Sequence, residues 1–110
     1  MNIKNLTPHA IHIHTVSGQE LIVDPEPVAA RCSQTESIID TLSFNGQKIA
    51  VSQIQLGAVE NLPEFEEGTI LVVSRIVAEA AKGRTDIYIP GPAIRDDQGR
   101  IIGSKGLSKI

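Results

Sequence analysis

The chain has 110 residues, of which 41% are apolar, 21% charged and 3% aromatic, with a net charge of −3 and a single cysteine. This length suits one domain, predicted over residues 1–110, with a core but no room for a second domain. A lone cysteine excludes an internal disulfide and a four-ligand zinc site, and no stretch is apolar enough to cross a bilayer. Without an apolar leader, the sequence predicts a cytoplasmic protein that does not bind membranes.

A strand is predicted at residues 9–16, where apolar and polar side chains alternate. Its two isoleucines share a buried face, and His12 and His14 share the opposite face. Two imidazoles on one face of a strand can hold a metal ion, with His9 as a third ligand. No acidic residue or cysteine lies close by in the sequence, so we expect solvent-facing histidines and no metal site.

Four more strands are predicted in the N-terminal half. Isoleucine and valine, which number 16 and 8, dominate the apolar residues and favour sheet over helix. The Asn45-Gly46 pair predicts a hairpin turn, because both residues tolerate positive φ. An acidic surface loop is expected at residues 57–68. The strands are predicted at residues 21–23, 28–34, 36–43 and 47–55.

Residues 69–83 predict a strand followed by a helix of about two turns. Residues 70–73 form a continuous apolar run, which is typical of a strand buried on both faces. Ser74 is placed to cap a helix over about residues 74–82, and Gly83 follows in the left-handed position. Such a short helix depends on packing, and the predicted buried side chains are Ile76, Val77 and Ala80.

The remaining residues predict a strand and a hairpin. The strand covers residues 86–89, and the hairpin covers residues 93–102 with Gly99 in its turn. Residues 103–106 are expected to be flexible backbone. Together the elements predict an α+β fold that is mainly β: a small curved antiparallel sheet or partial barrel with one short helix at about residues 74–82.

The charge is unevenly distributed along the chain. Residues 1–73 carry three basic and nine acidic side chains, a balance of −6, and residues 74–110 carry seven and four, a balance of +3. A basic C-terminal third favours an anion-binding surface, because guanidinium groups bind carboxylate and phosphate. The alternative is that the arginines form surface ion pairs with Asp86, Asp96 and Asp97.

Seven polar side chains at loops and element ends are the candidate ligand-binding residues. Thr7-Pro8-His9 is first of all typical of a turn in which Thr7 bonds the backbone, and the alternative is that Thr7 and His9 bind a ligand at the loop tip. Ser74 either caps the helix or, together with Arg75, holds an anion at the helix start. The candidates are Thr7, His9, Ser74, Arg75, Arg84, Arg95 and Lys105.

No catalytic constellation is recognisable in the sequence. Cys32 has no histidine nearby, the serines lack a G-x-S-x-G context, and there is no glycine-rich phosphate loop. Three aromatic residues and a negative net charge argue against binding of a nucleic-acid polymer. These observations weigh against an enzyme and predict no cofactor, while a small hydrolase or metal-dependent enzyme that uses the histidines is a further alternative.

Three sequence blocks stand out in the chain: N-L-T-P-H-A at residues 5–10, V-S-R-I-V-A-E-A at residues 73–80, and P-G-P-A-I-R-D at residues 90–96 with Gly99, Ile102, Gly103 and Gly106-Leu107. They resemble a family of small uncharacterised phage, prophage and bacterial proteins. Residues 15–60 share little with the family. No catalytic role comes with this resemblance, which implies a small phage-encoded protein, and such proteins often inhibit host defence or sequester its ligands.

These observations predict a non-enzymatic module that binds a small anionic, nucleotide-derived ligand, such as a host immune signalling molecule, in the host cytoplasm. Because 110 residues leave little room for a deep pocket, the site can lie between protomers of a homo-oligomer. The alternative is a protein-interaction or virion-associated structural module. Such a module would pair through an exposed strand edge or through the acidic loop around Glu64 to Glu67.

Overall fold

Ten strands and one short helix form the fold in a computed structural model that describes residues 1–110. The elements in chain order are β1 (Asn2–Asn5), β2 (Ile11–His14), β3 (Glu20–Val23), β4 (Arg31–Phe44), β5 (Gln47–Glu60), β6 (Thr69–Val72), α1 (Arg75–Ala80), β7 (Ile87–Pro90), β8 (Ala93–Arg95), β9 (Ile101–Lys105) and β10 (Leu107–Ser108). The prediction of a mainly β α+β fold with one short helix is confirmed. The strands are divided among three sheets, none of which closes on itself.

The first sheet has the strand order β1-β6-β7-β10. Its first three strands are parallel, and β10 runs antiparallel to β7. The sheet is mixed, where an antiparallel one was expected, because α1 carries the chain from the end of β6 back to the start of β7. This crossover makes β6 and β7 parallel neighbours.

The second sheet, with the order β3-β2-β9-β8, packs on one face of the first. Ile11 and Ile13 of β2 form a buried cluster with Val72 of β6. The predicted alternation of β2 is therefore confirmed, with His12 and His14 on the outer face. Strand β9 runs parallel to β2, which is a third parallel pairing that the sequence did not predict.

The opposite face of the first sheet is covered by α1. Leu71 and Val73 point to this side and pack with Val77 and Ala78, both of which are almost fully buried. The predicted burial of Ile76 is wrong, because Val77 and Ala78 turn toward the sheet and leave Ile76 at the surface. The helix is also shorter than predicted, and six residues are far too few to span a membrane.

Strands β4 and β5 form the third sheet, a two-stranded hairpin with 14 residues in each strand. Its turn is the predicted one, with φ of 51° at Asn45 and 76° at Gly46. The predicted break between residues 34 and 36 and the predicted loop from residue 57 are both wrong. The ladder runs through residues 34–36 without a register shift, and the bulge between the pairs Cys32–Val59 and Gln34–Leu56 carries it past residue 57.

The C-terminal hairpin turns at Gly99, which has a φ of 80° as the sequence predicted. Residues 103–105, which were expected to be flexible, instead belong to β9. Ser104 is buried there because it pairs with Ile13 on one side and with Ala93 on the other.

Candidate functional site

The loop after β1 is held together by the side chain of Asn5, which is completely buried. Its amide nitrogen donates to the carbonyl oxygens of His9 (2.8 Å) and Val23 (2.9 Å). Its oxygen accepts from the backbone N–H (3.0 Å) and the hydroxyl (2.6 Å) of Thr7. The Thr7 hydroxyl also lies 2.9 Å from the carbonyl oxygen of His9, so its hydrogen-bonding capacity is used within the loop, as the turn interpretation predicted.

The start of α1 carries the next two candidates. Ser74 caps the helix, its hydroxyl oxygen accepting from the backbone N–H of Val77 at 3.5 Å. Arg75 lies on the exposed side and forms an ion pair with Glu79 at 3.2 Å. The capping interpretation of Ser74 is therefore confirmed, and an exposed pair of this kind contributes little to stability.

Two of the C-terminal arginines form ion pairs, as the alternative interpretation predicted. Arg84 holds the buried carboxylate of Asp86 through two hydrogen bonds, at 3.0 and 2.7 Å. Arg100 pairs with Asp96 at 3.1 Å. Arg95 donates instead to the carbonyl oxygen of Gly99 at 2.7 Å, and so stays within its own hairpin.

The seven candidates do not converge on one cavity in a single chain. Strands β1 and β6 are parallel and in register up to Asn5 and Val72, so the residues that follow them leave the same edge of the first sheet. Thr7, His9, Ser74 and Arg75 share this edge. The other three lie elsewhere: Arg84 precedes β7, Arg95 ends β8, and Lys105 lines a cavity beside His14.

A cleft of about 410 Å³ lies where this edge meets the base of β4, and we call it the Arg31 cleft. Arg31 is exposed and forms no ion pair, in contrast to Arg75, Arg84 and Arg100. Arg31 and Ser74 are the residues with polar side chains in a lining that otherwise consists of apolar residues and Cys32. The lining residues are Pro8, Ala29, Ala30, Arg31, Cys32, Ser74 and Ile76.

Arg31 is the functional candidate that the sequence analysis missed. No motif surrounds it, and it lies in residues 1–73, the part of the chain in which acidic side chains outnumber basic ones. It reaches the cleft because the backbone N–H of Ala30 donates to the carbonyl oxygen of Leu6, which anchors the start of β4 beside the end of β1. Ala30 and Leu6 lie far apart in the sequence, so the residues around Arg31 do not indicate this contact.

Glu20 lies between His12 and His14 on the outer face of the second sheet. Its carboxylate oxygens lie 3.3 Å from Nδ1 of His12 and 3.4 Å from Nε2 of His14, because β3 pairs with β2 in antiparallel register. Nε2 of His14 is buried and forms no hydrogen bond, with Glu20 or with any other group. No group of three or more His, Cys, Asp or Glu side chains is arranged to hold a metal ion.

A second cleft of about 410 Å³ opens between β2 and β9. It collects residues from two of the blocks that carry the family resemblance, among them Ala10, Gly91 and Gly103. A methyl group at Gly91 would overlap the carbonyl oxygens of Lys105 and Gly106, and one at Gly103 would contact the His14 ring at 2.9 Å. Close packing is therefore sufficient reason for glycine at both positions: against the backbone of residues 105–106 at Gly91, and against β2 within the second sheet at Gly103.

Comparison with known proteins adds no further assignment. A scan against protein-family models gives no match, and searches of curated proteins and of solved structures give none either.

Proposed function

We propose that the protein is a non-enzymatic module that binds a small anionic ligand in the Arg31 cleft. The observation that carries this proposal is Arg31, an arginine without an ion pair that lines the same cleft as Ser74. Glu60 is its partner in the ladder, but the two side chains form no ion pair, so the forked donors of Arg31 remain free for a bidentate anion. Four of the seven sequence candidates, Thr7, His9, Ser74 and Arg75, lie on the segments that border the cleft.

The lining indicates the chemical class of the ligand. A volume of about 410 Å³ falls within the range of small-molecule sites, and Pro8, Ala30 and Ile76 supply apolar wall. A ligand with a phosphate or carboxylate at one end and a flat or apolar group at the other matches this lining. A nucleotide derivative has both parts, and we extend the proposal to such a ligand in the cytoplasm of a phage-infected host, in line with the family resemblance.

Calorimetric titration tests this proposal, with inorganic phosphate, ADP-ribose and cyclic dinucleotides as the probes. We expect at least one probe to bind, and Arg31→Ala to weaken that binding by about tenfold or more, as the loss of a hydrogen bond to a charged group implies. Arg95→Ala is the matched control, because it removes an exposed arginine from the other sheet. Absence of heat with every probe, or an equal loss in both variants, would overturn the proposal.

A protein-interaction module is the second candidate, and the exposed hairpin formed by β4 and β5 favours it. Seven large apolar side chains of this hairpin are at least 40% exposed. A partner that docks there should be captured from infected or lysogenic cells by wild-type protein and by Arg31→Ala. It should be lost when the apolar side chains of the hairpin are replaced, and capture that is insensitive to those replacements would contradict this function.

A further inference from the structure

The hairpin formed by β4 and β5, residues 31–60, extends away from the rest of the fold, and we call it the arm. The chain measures 56 Å along its longest axis and has a radius of gyration of 17.7 Å. A compact chain of this size has a radius of about 13 Å. Strands of 14 residues span about 45 Å, which accounts for the elongation. Only the base of the arm reaches the core, through Cys32 and Val59.

The outer half of the arm has one apolar face. Residues that pair across an antiparallel ladder share a face, and successive residues alternate between faces. Leu42 pairs with Ile49, and the neighbouring pairs on this face combine an apolar with a polar residue, Val51 with Asp40 and Phe44 with Gln47. Leu42 and Phe44 are 56% and 66% exposed. The opposite side of this half is lined by Thr41, Ser43, Lys48 and Ala50.

The inner half of the arm is apolar on the other face. A second bulge inserts Ile39 as an extra residue between the pairs Ile38–Ser52 and Asp40–Val51. Because Val51 and Ser52 are consecutive in β5, the side chains of Ile38, Ile54 and Leu56 lie on the face opposite to that of Leu42. The arm therefore exposes apolar side chains on both faces, one in each half.

A two-stranded ribbon with these properties requires a partner that buries its apolar faces and open edges. An isolated hairpin is marginally stable, and three or more strands with a buried apolar face are required for independent stability. Neither strand of the arm pairs with any other strand, so two long edges are open. Natural edges are protected by proline, short length or many charges. The arm is long, has no proline, and between residues 33 and 58 carries only Glu36, Asp40 and Lys48 as charges.

We propose that this partner is a second copy of this chain, with the arm of each copy packed against the arm of the other. Near-neutrality of the arm lets two copies approach without repulsion and offers nothing to a highly charged partner. A ribbon about 45 Å by 10 Å presents about 450 Å² on each face, so one flat face falls short of the 800 Å² or so per partner that a stable interface buries.

A two-fold pair can bury an open edge of each arm as well as a face. Because a sheet is about 10 Å thick, an edge is about as large as a face, and the two together bury about 900 Å² on each copy. Four strands from two arms also reach the number that a stable sheet requires. This association is independent of the ligand proposed for the Arg31 cleft.

The test is the molar mass in solution, measured by light scattering during gel filtration at about 100 μM, well above a micromolar dissociation constant. We expect the wild-type protein at a multiple of 11.8 kDa and Leu42→Thr/Ile49→Thr at 11.8 kDa. Threonine keeps the strand propensity while removing the apolar contact. Thr41→Val/Ala50→Val changes the opposite face at the adjacent ladder position and should keep the wild-type mass.

Circular dichroism of the same samples should show that the strand content is retained in both double variants. A monomeric wild-type protein would overturn the proposal. An unchanged mass in Leu42→Thr/Ile49→Thr would overturn it as well, because the outer apolar face would then lie outside the interface.

Discussion

The side-chain oxygen of Asn5 accepts a hydrogen bond of 2.6 Å from the hydroxyl of Thr7, two residues further along the chain. Asn5 is completely buried and uses both ends of its amide to fasten the loop after β1 to β3. The N-x-T part of the first sequence block therefore has a structural role: it fixes the loop that contributes Pro8 to the Arg31 cleft.

Asn5→Ala should lower the free energy of unfolding by about 3 kcal/mol, because two carbonyl groups and the Thr7 donors lose their partner in a buried site. Thr7→Val should cost about 1 kcal/mol, since Asn5 keeps its other hydrogen bonds. Urea denaturation followed by circular dichroism measures both effects. Asn2→Ala, at an exposed position of the same strand, is the control, and an Asn5→Ala effect no larger than that of the control would contradict this role.

Arg84→Ala should destabilise the protein by about 2 kcal/mol, because the Asp86 carboxylate is left without its bidentate partner. The Asp86 side chain is only 3% exposed, so water cannot replace the guanidinium. Arg75→Ala breaks an exposed pair with Glu79 and should change stability by less than about 0.5 kcal/mol. Equal midpoints of urea denaturation for the two variants would show that burial of Asp86 does not strengthen its pair.

Gly91→Ala should disturb the junction between β7 and the second sheet. The added methyl group would overlap the carbonyl oxygens of Lys105 and Gly106, and neither backbone group can move without shifting β9 or β10. We expect a loss of about 3 kcal/mol, as for severe overpacking. Gly18→Ala meets no atom within 4 Å but has a φ of 88°, so it should cost about 1 kcal/mol.

Hydrogen exchange locates the effect of Gly91→Ala. Amides of β8 and β9 should exchange faster in this variant and at the wild-type rate in Gly18→Ala. If the two variants destabilise the protein equally and without faster exchange in β9, the overlap at Gly91 is not the cause.

Features that depend on a few neighbouring residues were predictable from the sequence. The Ser74 cap, the Asn45-Gly46 turn and positive φ at Gly99 are all present, because each is determined by local backbone chemistry. The buried isoleucines of β2 were also predicted, since strand alternation needs only four residues to be visible.

Features that depend on distant contacts were not predictable. The parallel register of β1 with β6 and of β2 with β9 joins residues more than 60 positions apart. Arg31 and Ser74 line the same cleft because of such contacts, since β1 pairs with β6 and the backbone N–H of Ala30 donates to the carbonyl oxygen of Leu6. The sequence predicted separate strands in the arm because the polar residues 33–37 and Gly57 interrupt its apolar pattern, although the ladder continues through both.

The turn between β8 and β9 contains Asp96, whose carboxyl group has a lowered pKa. The backbone N–H of Arg100 donates to Asp96 at 2.9 Å and is the main cause that holds the pKa of this carboxyl below its ordinary value of 3.8. The backbone N–H of Gln98 and the Arg100 side chain act in the same direction. These hydrogen bonds favour the ionised carboxylate.

A carboxyl group whose pKa is lower in the folded state stabilises the fold at pH values above the unfolded pKa, and this contribution is lost as the pH falls through the folded pKa. The stability difference between the wild type and Asp96→Asn should therefore be constant at neutral pH and shrink as the pH falls below about 3.8. Side-chain carboxyl NMR should place the Asp96 midpoint below 3.8. Arg100→Ala should retain most of the shift, because its backbone N–H remains, and a midpoint that returns to 3.8 in this variant would assign the effect to the guanidinium instead.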